Sequence, residues 1–298
     1  MLGFVSIPRL RPVAGRTTGL RLSALLWLGS GFTIEGMRGI AAAVALACVA
    51  LGSATVIDLG KLMPLGDSIT EGTGTPQVGG YRGPLYSALR ADGFTFTPVG
   101  PRTQGGTALP VADRPHAGQP AWNVASLTFG QAALPDRGNV TQWMTTYQPD
   151  VVLLMAGTND SAEYKNNPAG MRARYNELLD AVFAVDPSVQ VHMASIPKAN
   201  SSFGANYLHH LAHATNISIM VPEIVAERQL AGRSIYYVDM FSALNPDTDI
   251  ADFVHPNAQG YGKIAARWEA SLQAVPEPTS MIVLGGLVGL LMRRKRQA

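Results

Sequence analysis

Cysteine is nearly absent: the 298-residue chain has one, Cys48. It lies before residue 55, so the body that follows has no cysteine and can hold neither a disulfide nor a thiolate metal site. Charge is also sparse, at 15% of residues, and the formal net charge of +2 is unevenly placed. Residues 55–292 carry 14 Lys and Arg against 20 Asp and Glu, a net of −6, so the basic residues are concentrated at the two ends. The body therefore offers no basic face for nucleic acid. It also has no internal repeat and no Gly/Ser-rich linker dividing it. About 220 residues remain between the ends, enough for one domain with a sizeable core.

The ends read as targeting segments. Residues 37–54 (MRGIAAAVALACVALGSA) join one arginine, an apolar run and a small-residue close, the layout of a secretory signal cleaved after Ala54. Met37 is then the functional start and residues 1–36 an upstream extension. Cys48 lies inside the apolar run, and the residues before it fit a lipoprotein signal poorly. Residues 275–298 combine a Pro-Glu-Pro triplet, a short apolar run and the cluster Arg293, Arg294, Lys295, Arg296. This tail resembles the PEP-CTERM sorting signal of Gram-negative bacteria. The resemblance implies export to the periplasm, cell surface or medium, a transient membrane anchor, and processing by signal peptidase and an exosortase-type enzyme.

Between these segments, residues 55–274 alternate short apolar runs with helical patterns. Candidate strands are 61–66, 94–99, 150–156, 189–196 and 234–240. The third is nearly continuous in Val and Leu, as expected of a central parallel strand covered on both faces. Pro64 sits awkwardly in the first, because proline cannot donate to a ladder. Residues 171–185 place Met171, Tyr175, Leu178, Leu179, Val182 and Phe183 on one helical face, and 219–231 and 257–273 show weaker versions. Residues 101–135, rich in Gly, Pro, Ala and Thr, read as a long surface loop. Strand and helix in alternation predict an α/β fold with a parallel sheet.

Ligands in such folds sit beyond the carboxyl ends of the strands. Ser68 follows the first strand in PLGDSITEG, Asn159 the third in MAGTND, and Asp252 and His255 the fifth in DFVHPN. A serine hydroxyl becomes a nucleophile when a histidine takes its proton, and an acid fixes the imidazole tautomer. An oxyanion would need donors such as the Ser68 N–H and the Asn159 amide. Ser68 also fits an ordinary helix cap. Asp67 reads as a helix-start acid and Asp160 as a turn stabiliser. His209, His210 and His213 read as a solvated helix face rather than metal ligands, and His192 as a satisfied core residue.

LGDSIT, AGTND and DFVHPN, in this order, resemble blocks I, III and V of the SGNH (GDSL-type) hydrolases, over roughly residues 61–272. The resemblance implies a three-layer α/β/α flavodoxin-like fold with a five-stranded parallel sheet. It implies Ser68 as nucleophile, His255 as base and Asp252 as its partner, with no metal or other cofactor. The segments GGYRGPLYSAL (79–89) and HAGQPAWNV (116–124) resemble the bacterial carbohydrate acetylesterases of that family. They imply substrate-binding roles for Tyr81, Arg82, His116 and Trp122, the last either a sugar platform or core. Block II departs from the pattern, with Ala121 where a glycine is expected. Its N–H would join Ser68 and Asn159 in the oxyanion hole provided φ there is negative, with Gly118 as the fallback donor. The expected protein is a monomeric secreted esterase acting on acetyl or other short acyl esters of carbohydrate. The alternatives are a lipid-directed esterase or lysophospholipase, and a non-catalytic carbohydrate-binding protein on the same fold.

Overall fold

The computed structural model describes residues 56–275, so the proposed signal segment and nearly all of the C-terminal tail lie outside the described residues. Among the described residues the sheet has six parallel strands, five of them on its main path: β1 (Ile57–Gly66), β2 (Phe94–Pro98), β4 (Val151–Met155), β5 (Gln190–Ala194) and β6 (Ile235–Val238), in the order β2-β1-β4-β5-β6. All five predicted strands are present, trimmed or extended at their ends. A two-residue strand not anticipated, β3 (Ala117–Gly118), pairs with the end of β1. Leaving β3 aside, the order is that of a flavodoxin-like doubly wound sheet, with its topological switch between β1 and β4.

The strands alternate their apolar side chains between two cores. Met63, Leu65, Val152 and Leu154 face one, shared with α3 (Val124–Phe129), α4 (Val140–Tyr147), α6 (Pro168–Val185) and α7 (Asn206–Leu230). Leu62, Leu153 and Met155 face the other, shared with α2 (Arg82–Ala91) and α9 (Ala258–Gln273). The result is a three-layer α/β/α fold. Three short helices complete it, α1 (Ser68–Glu71), α5 (Ser161–Tyr164) and α8 (Pro246–Asp249). The predicted apolar stripe from Met171 to Phe183 is the buried face of α6.

Pro64 is accommodated by a gap in the ladder. On the β2 side of β1, Val99 N–H donates to Leu62 O, and Gln119 N–H donates to Gly66 O. Backbone groups of alternate residues face the same neighbour, so Pro64 faces this side between those bonds. Its missing donor falls where the partner strand changes from β2 to β3.

Two expectations are corrected here. Helix α7 begins at Asn206, well before 219, and buries His210 and His213 at 1% exposure; of the three histidines only His209 is exposed. Residues 101–135 are not simply a surface loop. They contain β3 and α3, and His116, Ala117, Gly118 and Gln119 are buried.

Gly66 marks how closely β1 approaches its neighbours. A β-carbon there would lie 2.0 Å from the Met155 carbonyl oxygen and 2.5 Å from Thr70 Oγ1. Gly66→Ala is expected to cost about 3 kcal/mol or more, because a backbone oxygen cannot rotate away. Denaturant unfolding measures this, and a cost below about 1 kcal/mol would contradict the packing described.

Candidate active site

The loops after β1, β4 and β6 meet at the carboxyl edge of the sheet, across the β1/β4 switch. Asp67 makes the sharp exit from β1. Its Oδ1 accepts from Ile69 N–H at 2.9 Å and caps α1, so the capping role belongs to Asp67 and not to Ser68. Ser68, the first helical residue, is 8% exposed, and its hydroxyl lies 2.8 Å from His255 Nε2. His255 Nδ1 lies 2.8 Å from Asp252 Oδ2. The other carboxylate oxygen, Oδ1, accepts the backbone N–H groups of Phe253, Val254 and His255. Partial burial pushes the Asp252 pKa up, but these bonds and the imidazole outweigh it and hold the carboxyl at about 2. An ionised Asp252 is acceptor only, so Nδ1 carries the proton and Nε2 accepts from the serine hydroxyl.

The loop carrying this pair is braced from below. Ala251 N–H donates to His255 O at 2.8 Å, and Asn257 N–H donates to Asp249 O at 2.8 Å. Asp249 is fully buried and accepts from Lys263 Nζ at 2.6 Å and Asn245 N–H at 2.7 Å. Its buried carboxylate is thus paired and hydrogen-bonded, as such a group must be.

Donors for an oxyanion come from three loops. The N–H of Ser68, in the first turn of α1, has no intrahelical partner. Asn159 is exposed and donates one amide N–H to Trp122 O at 2.9 Å, which leaves its second for a ligand. Residues 119–122 form a turn closed by Trp122 N–H to Gln119 O at 3.1 Å, with Pro120 and Ala121 at the central positions. Ala121 has φ +63°, so the negative φ expected for alanine is overturned. Proline followed by positive φ is the type II arrangement, which favours glycine at the second position. The turn's own bond leaves the Ala121 N–H unused. The fallback donor is corrected as well: Gly118 N–H is bound to His116 Nδ1 at 3.0 Å. A β-carbon on Gly118 would lie 2.6 Å from Glu71 N, so its place is set by close packing on α1.

Of the expected substrate-binding residues, all four are buried beneath the loops rather than at the surface: Tyr81, Arg82 and His116 at 0% exposure and Trp122 at 1%. Tyr81 donates to Thr70 Oγ1 at 3.3 Å. Arg82 donates to the carbonyls of Arg114, Glu71, Gln104 and Gly105. His116 Nε2 bonds Gln104 O at 2.8 Å, which with Nδ1 accepting from Gly118 makes a neutral ring. Burial, with Arg82 nearby, lowers its pKa well below the usual histidine range. Trp122 stacks on Trp143 with centroids 6.0 Å apart, which assigns it to the core.

Two supporting side chains escaped sequence reading. Tyr175 Oη donates to Ala156 O at 2.7 Å and His213 Nε2 to Gly157 O at 2.9 Å, fixing the turn that presents Asn159. Tyr175 is visible in sequence only as part of an apolar stripe. Asp160 is buried and accepts from Val124 N–H at 3.2 Å, joining the β4 loop to α3. Burial raises its pKa to about 7, against that hydrogen bond and aided by Asp67. Among the described residues no group of three or more His, Cys, Asp or Glu could share a metal ion.

A family model described as GDSL-like lipase/acylhydrolase matches residues 65–263. The chain is 32% identical over 222 residues to a multidomain esterase of Ruminococcus flavefaciens, covering 70% of this chain and 28% of that protein. It is 31% identical over 136 residues to a putative endoglucanase X of Acetivibrio thermocellus, covering 44% of this chain and 53% of that one. It therefore spans only part of either relative. A family 3 carbohydrate esterase of Clostridium thermocellum superposes with TM-score 0.56 at 29% identity, covering 72% of this chain and 94% of that one. A family 3 carbohydrate esterase from Talaromyces cellulolyticus shares the fold, with TM-score 0.58 at 24% identity over 71% of this chain and 95% of that one.

Two measurements probe this geometry. Ala121→Gly relieves a left-handed alanine and is expected to stabilise the protein by about 0.5–1 kcal/mol, after the added flexibility of the unfolded chain is subtracted. An unchanged or lower melting temperature would contradict the positive φ. For Asp160, the unfolded carboxyl ionises near pH 4 and the folded one near 7, so its contribution to stability is lost as pH rises between them. The melting temperature of Asp160→Asn should therefore gain on wild type from pH 4 to 7 and then level off. A pH-independent difference would refute the raised pKa.

Proposed function

The chain belongs to the GDSL-like lipase/acylhydrolase family, and on that premise we propose that it is an exported serine esterase releasing acetyl or other short acyl groups from carbohydrate. The observation that carries the reading is the unbroken hydrogen-bonded chain Ser68–His255–Asp252, with unused donors beside it. The carbohydrate substrate rests on kinship with the carbohydrate esterases described above. Export, and processing at both ends, rest on the targeting patterns in residues 37–54 and 275–298.

In this mechanism Ser68 Oγ attacks the ester carbonyl while His255 Nε2 takes its proton. Asp252 stabilises the imidazolium and stays ionised through neutral pH. The tetrahedral oxyanion draws on Ser68 N–H, Ala121 N–H and the free amide hydrogen of Asn159. His255 then protonates the departing sugar oxygen. A water deprotonated by the same nitrogen releases the acid from the acyl-enzyme.

Ser68→Ala is expected to lower kcat on p-nitrophenyl acetate by a factor of about 10³ or more and to abolish fluorophosphonate labelling. Wild-type activity should be greatest on acetyl esters and fall as the acyl chain lengthens. Undiminished hydrolysis by Ser68→Ala would overturn the mechanism, and a long-chain optimum would overturn the carbohydrate assignment in favour of a lipid substrate.

A further inference from the structure

Phe253 occupies an unusual place for a large apolar side chain. It stands between Asp252 and His255 on the triad loop and is 49% exposed. Its ring stacks on Phe203, with centroids 5.2 Å apart and planes 18° from parallel. Phe203 comes from a different loop, after β5, and closes a short turn by donating its N–H to Asn200 O at 3.0 Å.

Asn200 locks the two loops together. Its N–H donates to Phe253 O at 2.8 Å, its Nδ2 donates to Pro246 O at 2.9 Å, and its Oδ1 accepts from Ser202 N–H at 2.8 Å. The ring pair is thus held by backbone bonds on both sides rather than by burial. The ring of Phe253 stacks on Phe203, and about half of the residue stays exposed. That is an uncompensated apolar exposure contiguous with the catalytic site.

We propose that Phe253 and Phe203 form a stacking platform for the sugar that leaves during acyl transfer, within a chain of equatorially linked pyranoses. The inference deepens the esterase reading and rests on it for the leaving group's identity. Triad chemistry fixes which half of the substrate reaches the platform. The acyl carbonyl turns its oxygen toward Ser68 N–H, Ala121 and Asn159, whereas the leaving oxygen must approach His255 Nε2 to be protonated. A platform on the histidine's own loop therefore lies on the leaving-group side. An acyl chain would be served by an enclosed apolar channel, but an open planar pair suits the flat C–H face of a pyranose. Equatorial linkages keep such faces in succession along a chain.

The test is binding that needs no ester. Wild type is titrated calorimetrically with xylohexaose and with cellohexaose, the deacylated leaving groups. Wild type should bind at least one, Phe253→Ala and Phe203→Ala should weaken that binding about fivefold or more, and Phe253→Trp should retain it. Phe253→Leu, apolar but not planar, should resemble alanine and so exclude a loss through misfolding. Equal binding by wild type and Phe253→Ala, or no wild-type binding to either sugar at about 10 mM, overturns the platform. A selective loss of long-acyl ester turnover in Phe253→Ala also overturns it, by assigning the ring to the acyl side. Acetate release from acetylated xylan is read separately. Sugar binding through Phe253 with neither acetate release nor p-nitrophenyl acetate hydrolysis would refute the esterase reading and leave the sugar platform standing without its leaving-group role.

Discussion

The buried guanidinium of Arg82 holds the active-site edge together. Desolvating a cation costs several kcal/mol, and burial accordingly lowers the Arg82 pKa. Among the described residues no carboxylate is paired with it; Glu71 is paired with Arg102 instead. Carbonyls of Glu71, Gln104, Gly105 and Arg114 offset the cost, and the same bonds satisfy backbone acceptors at the end of α1 and in the loops beside it. The rest follows by contact. With Gln104 fixed, its carbonyl bonds His116, and His116 orders Gly118. Gly118 packs on α1 and joins β3 to β1, and the turn through Ala121 begins from there. Trp122 closes that turn and accepts from Asn159, linking the loops after β3 and β4.

Three aspartates near this edge are shifted in opposite directions by their surroundings. Asp252 has three backbone donors and an imidazole, and is ionised down to about pH 2. Asp67 and Asp160 are buried, each with few donors, and burial raises both. Separation of this kind suits the proposed reaction. A fixed charge is useful where it faces the imidazolium, and a raised pKa at the two buried acids lessens the negative charge set against a developing oxyanion.

Features that depend on order along the chain were legible in the sequence. The Val/Leu run of β4 reads as a covered parallel strand, and Ser68, Asn159 and the Asp252–His255 pair read as convergent because each follows a strand. Features that depend on a distant partner were not. Arg82, Tyr81 and His116 carry polar atoms that suggest a surface; Arg82 and His116 find backbone partners in loops with no periodic signal, and Tyr81 finds the Thr70 hydroxyl. His213 reads as solvated until the Gly157 carbonyl is seen to accept from it. The first half of α7 mixes Asn, His and Thr among its apolar residues, which blurs the helical period.

Ala121 shows how one turn can keep its shape under a less favourable residue. A left-handed alanine costs about 1–2 kcal/mol relative to its usual conformations. The preceding residue, Pro120, is already restricted to the φ that the first central position of a type II turn requires. Such a proline lowers the entropy lost on folding, worth about 0.4–1 kcal/mol. That is comparable to the strain and opposite in sign. Once the turn is formed, alanine also has fewer alternatives than glycine, so its N–H direction is better defined. A donor that must meet an oxyanion is most effective when it needs no reorganisation. The strain at Ala121 is therefore consistent with an intact oxyanion site, provided Pro120 stays beside it.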